Sequence, residues 1–196
     1  MSTTANVLAT PMQFSQYSFT FAADEKTFPI PAYWLQLSGL LKDYVEAGAF
    51  FDATNDIPLP QFTYAQMKLI DDVLDHIRIT YIKKDVVLAS DYQMLETLEF
   101  RNDSHCHAVQ LATPADLRGA LNLSNFLQIA LAKKYFINYF ANEVIALDQD
   151  VKGISILLGV EDALTPEFVT TEGLGPDSKM FKTFPNAYNA IYGNNQ

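Results

Sequence analysis

Residues 105–107, His105-Cys106-His107, set two imidazoles and a thiol, all good zinc donors, in consecutive positions. Neighbouring side chains point in different directions and no fourth ligand is evident, so the run reads as a loop with incidental histidines and no metal is expected. The same divergence defeats a cysteine–histidine nucleophile, which would further need an orienting carboxylate and an oxyanion hole. Asp71, Asp72 and Asp75, and the Asp148–Asp150 pair, offer carboxylates, yet acids on the solvent faces of helices are ordinary and here supply net charge. The eight glycines are scattered, and none follows a strand in the pattern that cradles phosphate. No catalytic residue is assigned, no cofactor is expected, and the chain reads as a non-enzyme.

Thirteen basic residues against 23 acidic ones give a formal charge of −10, a field that repels nucleic-acid phosphates and anionic lipid surfaces. The chain has 196 residues and is 49% hydrophobic, enough for one domain with appendages and a buried core. Its single cysteine excludes an intrachain disulfide and fits a reducing compartment. The first residues carry no signal-peptide pattern, and the uncharged run from Gly119 to Ala132 falls short of the roughly 20 residues that span a bilayer. A soluble protein of the cytoplasm or nucleus, bound to neither nucleic acid nor membrane, is the expectation.

The elements that must position any site follow from periodicity. Tyr17, Phe19 and Phe21 alternate with polar residues as one face of a strand. Thr27 to Pro31 returns as a second strand, held to a sheet edge by Pro29 and Pro31. Trp34, Leu37, Leu41, Tyr44 and Val45 mark a helix over Tyr33–Ala47, with Gly48 placed to stop it. Asp56 to Pro60 is a short, proline-rich edge strand. Thr63 then caps a helix through Met67, Ile70, Val73, Leu74 and Ile77. Between 78 and 117, Tyr81-Ile82 and Val86 to Ala89 look strand-like and Tyr92 to Phe100 helical. Thr113-Pro114 restarts a helix carrying Leu117, Leu121, Leu123, Phe126 and Leu127. Ile129 to Leu147 continues it, as a second helix or after a bend. Asp150 to Leu158 forms a further helix, Thr165-Pro166-Glu167 opens another, and the last 20 residues read as an extended aromatic tail that wants a surface to lie on.

In order and spacing, residues 14 to 168 resemble the SKP-type (S-phase-kinase-associated) cullin adaptors of the BTB/POZ superfamily. The resemblance is carried by Tyr17 to Phe21 with its hairpin, Leu40-Leu41-Lys42-Asp43, Asp56-Ile57-Pro58-Leu59-Pro60 and its following helix, Asn125-Phe126-Leu127-Gln128-Ile129, Asp150 to Val160, and Leu164-Thr165-Pro166-Glu167. It implies an α/β (α+β) fold: a BTB/POZ domain with a small three-stranded sheet flanked by helices, plus a C-terminal helical extension. The boundaries would be a flexible N-terminus at 1–13, the domain at 14–147 with an insertion at about 80–114, the extension at 148–168 and the tail at 169–196. It further implies a non-enzymatic adaptor in a ubiquitin ligase complex, with cullin and F-box-like proteins as partners. Three features depart from the family. An apolar insertion with Val86, Leu95 and Phe100 replaces an acidic loop, Ala108 to Leu111 stands where the family has a tryptophan-aspartate segment, and no charged last helix follows Glu167.

By that resemblance Asn125 and Phe126 fall at the cullin-contacting positions, although Phe126 also suits a core. Ile129, Phe136, Phe140 and Ile156 either line a groove for a partner helix or are covered within the chain, and Tyr135 borders them. A second expectation, of another class, is a structural or assembly protein that recruited the fold, as in a large viral or multiprotein assembly, and self-associates as an oligomer.

Overall fold

A computed structural model describes residues 17–47, 56–83, 95, 100, 106–147, 150–160, 175–179, 182, 188, 189 and 192. The fold is mixed α/β. β1 (Ser18–Phe21) pairs antiparallel with β2 (Lys26–Pro29) and parallel with β3 (Asp56–Pro58), giving the order β2-β1-β3. The alternation in β1 works as its period requires: Tyr17, Phe19 and Phe21 are buried in register. Both proline-bearing strands are edges, as their missing donors dictate.

Phe19 and Phe28 carry the sheet onto Trp34, with ring centroids 6.3 and 5.6 Å away. Trp34 opens α1 (Trp34–Leu37), and α2 (Gly39–Glu46) follows. The single helix expected over Tyr33–Ala47 is thus broken. Ser38 takes an extended conformation with ψ 116°, and its hydroxyl oxygen accepts from the Leu41 N–H as the cap of α2. Its hydroxyl also donates to the Leu127 carbonyl 2.5 Å away, a tertiary bond that outweighs helix continuation. Gly48 lies outside the described residues.

α3 (Tyr64–Ile77) begins at a complete capping box: Thr63 accepts from the Gln66 N–H, and the Gln66 side chain accepts from the Thr63 N–H. It buries Met67, Leu69, Ile70, Val73, Leu74 and Ile77, and runs on as a π-helical turn, Arg78–Ile82, which Lys83 closes at φ 55°. Tyr81-Ile82 is therefore not a strand; the β preference of its residues yields to helix propagation. Val86 to Ala89, and Tyr92 to Phe100 apart from Leu95 and Phe100, lie outside the described residues. Leu95 and Phe100 are buried, so the insertion contributes to the core.

α4 (His107–Leu111) precedes α5 (Pro114–Phe126), whose cap Thr113 accepts from the Asp116 N–H and whose first position is proline. α6 (Ala130–Leu147) is a separate helix. Leu127–Ile129 makes the turn between them, with Gln128 at φ 55°. α7 (Val151–Leu158) is capped by Asp150 and ends at Gly159 with φ 68°. α5 packs on both α3 and α6, and α7 rests on α5 and α6. Thr165 to Glu167 lies outside the described residues. In the tail, Lys182, Tyr188, Asn189 and Tyr192 have helical backbone, so they depart from the extended reading, and the rings of Tyr188 and Tyr192 lie 5.2 Å apart.

Candidate protein-interaction surface

The corner between α5 and α6 is built from the backbone outward. Ser38 and Ile129 form an isolated bridge, the Gly39 N–H donates to the Gln128 carbonyl at 3.3 Å, and the Leu40 N–H donates to the Leu127 carbonyl at 3.4 Å. Gly39 lies so close to the Gln128 side chain that a Cβ there would collide with it. Fixed in this way, the corner turns the end of α5 outward. Phe126 is 42% exposed, and its ring leans on the buried Phe62 with centroids 5.6 Å apart. Asn125 beside it is exposed, and its Oδ1 accepts from Lys133 Nζ at 2.8 Å. An aromatic on a rigid base beside an oriented amide is a low-entropy anchor for a protein partner.

The remaining residues singled out in the sequence separate from this corner. Ile129 and Phe136 are fully buried, and Tyr135 and Phe140 nearly so. They belong to the buried core around α3, α5 and α6. Tyr135 accepts a hydrogen bond from the Cys106 N–H at 2.7 Å and packs on Phe100 at 5.2 Å. Ile156 is 40% exposed on α7, but it lies toward Arg118, whose Nη1 donates to its carbonyl at 2.7 Å. Arg118 and Phe126 are about 12 Å apart along α5. Asn125 and Phe126 thus form one site and Ile156 another.

Cys106 is buried, and its thiol donates to the Asp72 carbonyl at 3.6 Å. Burial pushes that thiol above its ordinary pKa, partly opposed by nearby backbone N–H groups. No cluster of three potential metal ligands occurs among the described residues, and His105 lies outside them. A shallow groove of about 300 Å³ lies between α3 and α4, lined by Tyr64, Lys68, Leu69, Asp72, Leu111 and Asp116. Lys68 bonds to Asp71 and Asp72, and the Asp72 hydrogen bond foremost raises its pKa. Leu111 and this groove were not read from the sequence, because a five-residue helix has too little length for a period.

No family model matches the chain, and neither does any curated protein or solved structure. No helix among the described residues is long and apolar enough to cross a membrane.

Proposed function

We infer that the chain is a non-enzymatic protein–protein adaptor of the BTB/POZ kind, presenting the α5–α6 corner to a cullin-like scaffold and its helical end to a partner with an F-box-like helix bundle. The observation that carries this reading is the exposed Phe126 beside a tethered Asn125, the pair for which the resemblance to SKP-type adaptors implies scaffold contact. The element order supports it: a hairpin, two helices, a third strand parallel to the first, and then, among the described residues, helices. A cytoplasmic or nuclear setting belongs to the same reading.

Size-exclusion chromatography with light scattering, on the chain alone and then mixed with a cullin amino-terminal domain and an F-box peptide, tests it. A shift into a complex with either partner is expected. Phe126→Ala should abolish the scaffold shift while costing about 1 kcal/mol of stability through lost ring packing. An oligomer indifferent to both partners would instead favour the second reading, a structural or assembly protein. That reading has its own observation in the exposed isoleucines of α6, Ile137 and Ile145.

A further inference from the structure

Helix α6 carries apolar residues on its outer face, among Lys134, Asn138 and Asn142, as well as on the face it turns to the core. Tyr135, Phe136, Tyr139 and Phe140 face the core, whereas Ile137 is 49% and Ile145 73% exposed, with an exposed Ala141 between them. At about 100° per residue, these positions, spaced four apart, lie within about 80° of arc as one stripe. An apolar stripe on the outside of a long helix asks to be covered.

We propose that the stripe pairs with the same stripe of a second copy, the two α6 helices running antiparallel about a two-fold axis at Ala141. The stripe is its own complement about that residue. Ile137 and Ile145 stand four positions to either side, so the axis lays Ile137 of each copy against Ile145 of the other. Ala141 at the crossing point is small enough to let the backbones approach closely.

The charges are arranged to match. Lys134 lies one turn before Ile137 on the same side of the helix, near the N-terminus, where its own macrodipole does not favour a cation. In the antiparallel pair it meets the carbonyl end of the other helix, which does favour one. A single helix face buries less than about 1,200 Å², so the dimer is weak and forms at micromolar concentration. It requires no other protein, and its failure would leave the adaptor reading untouched.

The test is a cysteine at the axis. In Ala141→Cys the two Cβ atoms come within the roughly 3.5–4.5 Å that a disulfide spans. Under mild oxidation at micromolar concentration this variant should crosslink about tenfold faster than Leu111→Cys, because prior association raises the effective concentration of the thiols. Leu111 is as exposed as Ile145, at 73%, but sits on α4. The wild-type chain, with only the buried Cys106, should not crosslink. Sedimentation velocity should show the wild-type dimer fraction rising with concentration, and Ile145→Lys should remain a monomer with an unchanged melting temperature. Equal crosslinking of the two cysteine variants, or a wild-type chain that stays monomeric, would overturn the proposal. Capture of this face by a different protein in preference to a second copy would overturn it as well.

Discussion

At the scale of single residues, Tyr135 joins the insertion to the helical core, through the Cys106 N–H and the Phe100 ring. Burial pushes its phenol up from the ordinary 10.0 to about 12, since the phenolate would lose hydration that the single N–H donor does not replace. The folded chain therefore holds this proton to higher pH than the unfolded chain does. The stabilisation is complete below pH 10 and is lost as pH rises toward 12. Thermal melts across that window should show the wild-type melting temperature falling steeply. Tyr135→Phe, less stable at neutral pH for want of the acceptor, should fall less. Some residue roles were legible in the sequence because they are local: Thr63 and Thr113 each bond to an N–H three positions on. Ser38 makes the same local bond to the Leu41 N–H, but its tertiary partner was not legible, since the carbonyl its hydroxyl donates to belongs to Leu127, 89 residues away.

At the scale of elements, α7 shows how a short helix is held. Arg118 on α5 donates to the carbonyls of Ile156 and Leu157 at 2.7 and 2.9 Å, satisfying the C-terminal end that a helix leaves open. Gly159 passes over the guanidinium at φ 68°, and a Cβ there would lie 2.7 Å from Arg118 Cζ. Hydrogen bonds from a charged donor contribute about 1.5–3 kcal/mol, and partial exposure puts Arg118 at the lower end. Arg118→Ala should therefore speed amide exchange across Val151–Leu158 by about tenfold while leaving α3 unchanged; uniform acceleration would show that α7 opens only with the whole fold. The helices with one apolar stripe, α3 and α5, were readable by period. α6 was read only on its buried side, because its outer isoleucines are interleaved with Lys134, Asn138 and Asn142 and give no clean stripe, and the π-helical turn after α3 ran against the strand preference of its own residues.

At the scale of the whole molecule, one core runs from the sheet through Trp34 into the packing of α3, α5 and α6. Phe136, fully buried, stands at its helical centre, and Phe136→Ala should cost about 3–5 kcal/mol in urea unfolding, with partner binding lost only as far as folding is lost. The same reasoning makes Tyr135 and Phe140 folding residues. The sheet order was recoverable because prolines confine strands to edges, while the sequence between Lys83 and Cys106 offers only short strand-like and helical stretches with no signal that joins them.

Those prolines reach further than strand order. Along a strand successive N–H groups point to opposite sides, and the Ile30 and Leu59 N–H groups both point inward, to the Tyr17 and Thr20 carbonyls. Pro29 and Pro58 therefore each remove one outward donor, leaving Thr27 on β2 and Asp56 on β3 as the outward N–H groups of the two edges. Each rim of the sheet thus offers one hook fewer to an incoming strand, which weakens it as a template when copies of this chain crowd together.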